Sequence, residues 1–424
     1  MSFHSGRVTF TRFKVEGDAP KAADETALAI LSEFAFTESD IGTPDEVESG
    51  WVTGEHIYDV NFDYEKNGFG DLLLFALRLD TNKPPTEIKH AYRQMQEAAL
   101  IEQSENPTGF ASRREKREAK ESAERQLRED MAAGKFRKSK MIPVMWDLAG
   151  QTVYFGAAGQ VAVEQLSARF QDSFNVSLEP ISAGGFASHE MRAKGDGRDY
   201  EDLHPTPFTT APPDASNADD AVPRDPAIPF VPWAANGIDM KDFLGNELLI
   251  WLWWVMENDE GMVTIPSPAD HRTDDIAITI DKALDMECAW GVRGKQSLRA
   301  DGPTRLVEAA EALASGKWPR KMQMILADIA DGQQWELTWQ GDRMIISSAK
   351  LPDVEEATSA REVLEQRLQL TRRLGQVVDG LMATFLQLRT SQGWGDKSQQ
   401  IRSWIKQRRP ARNQAAAEPS PANV

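Results

Sequence analysis

The sequence predicts an α+β protein: an α/β body carrying an inserted long helical hairpin, then a second α+β half that ends in a long helix. Three observations predict it. Short alternating segments bounded by Gly, Asp or Asn recur along the chain, as in residues 7–15 (RVTFTRFKV) and 344–348 (MIISS), and this period of two marks strands. Amphipathic or wholly apolar stretches of helical length separate them. Residues 83–140, finally, are built almost entirely of strong helix formers.

Taken in order, residues 7–15 form a strand and 21–34 (KAADETALAILSEF) an amphipathic helix. Residues 72–79 (LLLFALRL) form a buried strand that feeds the hairpin. Pro84 and Pro85 suit the start of a helix, where a missing N–H costs little. A turn follows at Asn106-Pro107-Thr108-Gly109, and the second helix has no Gly from Ala111 until Gly134. Between Ala111 and Glu129 its only large aliphatic residue is Leu127, so it is expected to be polar all round and to project as an arm. Behind the arm, residues 143–148 and 152–156 bracket Ala149-Gly150-Gln151 as a hairpin, with a helix at 161–174 and a strand at 176–181. The expected organisation is therefore a central domain of 1–82 and 141–183 interrupted by an arm of 83–140.

Residues 184–238 are rich in Pro, Ala, Asp and Thr without periodicity, which predicts a linker or loosely ordered insertion. Residues 239–405 make a C-terminal α+β domain. It opens with FLGNELLIWLWWVM (243–256), whose three tryptophans are expected in the core rather than on a stacking platform, because the run is apolar on every face. Strands at 276–280, 287–292, 321–327, 335–339 and 344–348, a helix at 304–314 and a long helix at 355–389 complete it. The tail, 406–424, is basic and then Ala/Pro-rich, and is expected to be disordered.

At 424 residues the chain can hold two or three cored domains, and 41% hydrophobic with 27% charged residues is ordinary globular composition. A single cysteine, Cys288, allows no internal disulfide and fits a reducing compartment. Its apolar neighbours predict a buried thiol. The N-terminus lacks an apolar signal-peptide core, and the most hydrophobic run is too short to span a bilayer and contains Glu247. A cytoplasmic location is expected, with no membrane partner.

The arm opposes the charge of the chain. From Arg113 to Lys140 eleven Lys and Arg face six Asp and Glu, inside a protein of formal charge −18. Two readings stay open for the middle turns: a solvated helix stitched by i,i+4 pairs, or a polyanion-binding face. The end favours the second. Lys135-Phe136-Arg137-Lys138-Ser139-Lys140 holds four cations, no acid and one aromatic, and a local cluster of cations selects phosphate whatever the net charge. Lys135, Arg137, Lys138 and Lys140 are the leading cationic candidates, followed by Arg113, Arg114, Arg117 and Lys120. Phe136 is expected at a surface a partner reaches.

Signatures of catalysis are missing. There is no P-loop, HExxH or CxxC, and six scattered histidines lack ligand spacing, so neither a metal nor a cofactor is expected. The nearest approach to a nuclease centre is Asp147 with Glu164 and Asp172, which are better explained as ordinary turn and helix-face acids. A protein–protein scaffold whose arm pairs with another helix is the main rival to a nucleic-acid binder, and a metal-dependent nuclease the third reading.

Several local features, in order along most of the chain, resemble the RdgC family of bacterial recombination-associated proteins. They are FTRFKV (10–15), Gly50-Trp51-Val52, the basic helical hairpin, Phe136 ahead of Met145-Trp146, and the hairpin and helix of 151–174. Leu298-Arg299-Ala300, Gly316-Lys317, Ala327-Asp328 and Lys350-Leu351 follow. The resemblance implies a non-catalytic, sequence-independent binder of double-stranded DNA. It implies a homodimer closed into a ring, associated with the nucleoid and limiting the access of RecA during recombination. It places Phe136 at a finger–finger dimer interface. The family's Lys-Gln gate pair has two placements, one at Lys295 and Gln296 and one, by alignment on Arg299, at Asp301-Gly302.

Overall fold

The computed structural model describes residues 3–38, 47–103, 110–212, 225, 227–267, 272–292, 294–354 and 357–408. The expected turn at 106–109 and the end of the expected tail, 409–424, lie outside the described residues. The chain is an α+β protein of two compact units. One comprises Glu16–Gln151 and Gly159–Ser177; the other comprises Met1–Val15, Thr152–Ala158 and Leu178–Val424. The first strand and Thr152–Ala158 thus cluster with the C-terminal half, against the division expected from chain order. Strand pairing decides this. Val8–Glu16 lies between Ile345–Lys350 and Thr152–Phe155, antiparallel to both, and such partners are chosen by tertiary fit rather than proximity in sequence.

In the arm-bearing unit, Leu72–Asn82 runs centrally between Val47–Val52 and Arg137–Asp147, both antiparallel to it. Alternation sorts its residues onto two faces. One face carries Trp51, Phe75 and Trp146 against Phe170 and Phe174 of the helix Gln160–Phe174, with ring centroids 5.0–5.4 Å apart in the edge-on pairs. Leu166, Phe170 and Phe174 recur every four residues, so one stripe of that helix supplies its buried apolar side chains. On the other face a Cβ at Gly50 would stand 2.5 Å from Phe36 Cα, so the chain lies directly on the strand there.

The arm consists of Thr86–Gln103 and Arg113–Ala132, packed on one another. Ser112 and Glu115 form a reciprocal capping box at the start of the second helix. That helix is not polar all round. Ala119, Ala123, Leu127 and Met131 are buried at i,i+4 spacing, a narrow seam whose alanines a search for large aliphatic residues passes over. Nor does the arm extend to Lys140. It ends at Ala132, and Arg137–Lys140 open an eleven-residue strand. Pairing along the whole length of Leu72–Asn82, from Leu72↔Asp147 to Asn82↔Arg137, overrides the helical propensity of those residues.

In the other unit the sheet runs Lys295–Arg299, Thr273–Cys288, Lys317–Asp328, Gln334–Gln340, Ile345–Lys350, Val8–Glu16 and Thr152–Phe155, with Met262–Pro266 beside Thr273–Cys288. The helix Phe243–Asn258 is buried at every position from Phe243 to Val255. Trp251 packs on Phe385 of the long helix Ala360–Thr390, and Trp253 on Trp404 of Trp394–Gln407, so the tryptophans are core residues. Cys288 is buried as well. A Cβ at Gly245 would lie 2.1 Å from the Gly341 carbonyl oxygen, because the helix backbone touches the turn before Ile345–Lys350. Gly245→Ala is expected to cost about 2–3 kcal/mol through overpacking. The check is a lowered denaturant midpoint at unchanged m-value.

The expected linker is a correction. Within 184–238, the helix Ala183–Lys194 is capped by Ser182 and stops at Gly195 (φ 86°), and Ala187, Met191, Tyr200, Leu203, Phe208, Val231 and Ala234 are buried. Apart from Ala187 and Met191, one helical turn apart, these anchors are dispersed, so composition hides them. Tyr200 donates to Asp239 over 2.8 Å, and the Phe208 ring meets Trp318 at 5.7 Å. Residues 213–224 and 226 lie outside the described residues. The start of the expected tail is helical too: Lys406 belongs to Trp394–Gln407, and the Arg408 guanidinium sits over the Trp253 ring. Among the described residues no helix is long and apolar enough to cross a membrane.

Candidate nucleic-acid interface

The arm is held at its root by a small apolar nucleus. Leu127 and Met131 of the second helix meet Phe136, with Ile88 and Tyr92 of the first helix packed against them. Polar bonds lock the same place. Asn82 Nδ2 donates to the Met131 carbonyl (2.6 Å), and the Tyr92 hydroxyl donates to Asp130 (2.6 Å). Lys135 Nζ donates to Tyr92 and to Asp130, each over 3.0 Å. Hydrogen bonds from Tyr92 and then Lys135 hold the Asp130 carboxyl below its usual range, and the bonds Lys135 makes to Tyr92 and then Asp130 raise its own ammonium. Lys135 is therefore already engaged.

Phe136 is also placed differently from expectation. It is 8% exposed, packed inside its own chain, so it presents no free ring to a partner. The cations flanking it sort away from the ring: Gly134 turns the chain at φ 71°, and Arg137 starts the strand. Phe136→Ala is expected to loosen the arm by about 3 kcal/mol, the usual cost of emptying a buried Phe site. Amide exchange should accelerate through Arg113–Ala132 while the strand Leu72–Asn82 stays protected. Unchanged exchange in the arm would remove Phe136 from its root.

Arg137 is bound into a network across the sheet. Asp80, 2% exposed, accepts from Arg78 Nε (2.9 Å) and Nη2 (2.8 Å) and from Arg137 Nε (3.0 Å). Arg137 Nη2 reaches Glu48 at 2.5 Å. Burial pushes the Asp80 carboxyl up, yet the bonds from Arg78 and Ser139 and the charge of Arg137 bring it below the usual range. Arg137 is thus a structural cation. The network escaped the sequence reading, although its signal was present: Arg78 and Asp80 are charges two residues apart inside an apolar strand, hence on one face.

Lys138 and Lys140 remain exposed and carry no ion pair among the described residues. Arg113 and Arg114, the first two residues of the second arm helix, are exposed in the same way. Arg117 pairs with Glu121 (3.0 Å) and Lys120 with Glu124 (3.8 Å), so the stitched-helix reading holds for the middle turns. Lys116, Arg125 and Arg128 are further exposed cations without an ion pair among the described residues, and they belong with the candidates.

The gate candidates share an edge strand of the other unit. Lys295 pairs with Glu287 (3.4 Å), Gln296 accepts from Lys317 (3.1 Å), and Arg299 pairs with Asp285 (2.9 Å). The acids weighed as a nuclease centre are engaged locally and separately. Asp147 accepts from Gly150 N, Glu164 from Gln160, and Asp172 pairs with Arg169. Among the described residues no three His, Cys, Asp or Glu side chains converge as metal ligands. No protein-family model and no curated protein matches the chain.

Proposed function

We propose that the protein binds double-stranded DNA through its phosphates, without catalysis and without reading sequence. In this reading it acts as a homodimer in the cytoplasm, associated with the nucleoid, and modulates recombination by limiting the access of RecA. One observation carries the DNA reading: on an acidic protein, exposed cations without an ion pair among the described residues gather on one firmly rooted arm. Lys138 and Lys140 stand at its base, with Lys116, Arg125 and Arg128 along it. The resemblance to the RdgC family supplies the dimer and the link to recombination. Contacts to phosphate position a protein on DNA and carry no sequence information, and the arm is no known base-reading module.

A gel shift on random-sequence duplex, with and without Mg²⁺, separates the readings. Retarded and intact duplex is the expected result. Unshifted duplex would favour a protein–protein scaffold, and degraded duplex a nuclease.

A further inference from the structure

The far end of the arm has charges that oppose its own helix. Arg113 and Arg114 occupy the first turn, where unsatisfied N–H groups already make the terminus positive and acids are preferred. Phe110, just before the cap, is 78% exposed. Two cations and an exposed ring held at an electrostatically unfavourable position suit a negatively charged, aromatic receptor.

The same unit displays such a receptor. Residues 54–66 hold Glu55, Asp59, Asp63 and Glu65 against a single base, Lys66. Tyr58 is 74% exposed, Tyr64 50% and Val60 36%. This loop is pinned from beneath. Asp59, 7% exposed, accepts from the Thr53 hydroxyl (2.8 Å), Asn61 N (3.0 Å) and Lys66 Nζ (3.1 Å). Asn67, fully buried, donates to the carbonyls of Thr53 (2.9 Å) and Leu74 (2.7 Å). The Arg78 guanidinium lies 3.9 Å from the Phe36 ring and 5.3 Å from that of Tyr58, and it donates to the Ile57 carbonyl (3.2 Å). Tyr58 is therefore held on a fixed base with most of its surface in water. Rigid exposed tyrosines lose little entropy on binding and are frequent anchors of protein interfaces. The acids around them disfavour nucleic acid as the occupant.

We propose that this loop receives the arm end of a second copy of the chain: Phe110 against Tyr58, Val60 and Tyr64, with Arg113 and Arg114 facing Glu55 and Glu65. The second arm helix alone is about 30 Å long. Reciprocal exchange of two arms gives a closed two-fold dimer. The inference rests on the homodimer reading above and gives it a surface that Phe136, buried in its own chain, does not provide.

The test is sedimentation equilibrium of the full chain without DNA, at low and high salt. The wild type is expected to dimerise, more weakly at high salt. Arg113→Glu with Arg114→Glu should raise the dimer dissociation constant about tenfold or more. Glu55→Lys with Glu65→Lys should do the same, and the two reversals combined should restore the dimer. All four sites are exposed, and circular dichroism checks that the variants fold. A monomeric wild type, a dimer indifferent to either reversal, or a combined variant without recovery would each overturn arm exchange. Retardation of duplex is read separately, so DNA binding retained by a protein that fails these tests would fault the arm exchange alone.

Discussion

Affinity for random-sequence duplex is expected to fall about 10³-fold between 50 and 200 mM salt if about six phosphates are neutralised. The expectation follows from which cations remain available. Lys135 and Arg137 are committed to Asp130 and Tyr92, and to Asp80 and Glu48, and release few counterions. Lys138 and Lys140 lie two residues apart on a strand, exposed on one face, and the cations of the arm helix follow. Replacing Lys138 and Lys140 by Gln should weaken binding evenly across sequences and lower the salt slope by about two, one for each phosphate that is no longer neutralised. Fluorescence anisotropy against a salt series measures both. A flat dependence, or strong preference for one sequence, would reject phosphate-led binding.

Arg389→Ala is expected to destabilise the C-terminal unit by about 3–5 kcal/mol, because it strands a buried charge. Glu247 is fully buried in the helix Phe243–Asn258. One of its oxygens accepts from Thr206 N (2.6 Å) and the other from Arg389 Nε (2.7 Å). Arg389 also donates to the His204 carbonyl (2.7 Å) and stacks over Trp394. Removing the guanidinium leaves a buried carboxylate with half its partners. Replacing both residues by leucine should recover most of the loss, since the pair stabilises little relative to an apolar substitute but is costly to break. Urea denaturation of the single and double variants decides this. A loss below about 1 kcal/mol for Arg389→Ala would show that Glu247 is not dependent on its partner.

The sequence by itself determined what local patterning controls. The α+β class followed from alternating segments and helical stretches, and the tryptophan helix from a run that is apolar on all faces. The helix start after Pro85 was legible in its Pro signal. The basic arm was legible as a charge count. Which of its cations are free was decided only by tertiary structure. Arg137 is neutralised by Asp80 and Glu48, 57 and 89 residues away, because Val47–Val52, Leu72–Asn82 and Arg137–Asp147 lie side by side in one sheet. Phe136 went inside for a similar reason: the seam of Ala119, Ala123, Leu127 and Met131 brings Ile88 and Tyr92 of the other helix within its reach. Hydrogen bonds near 3 Å and apolar contacts near 4 Å fix a side chain's partners, and a linear order of residues carries no such distances.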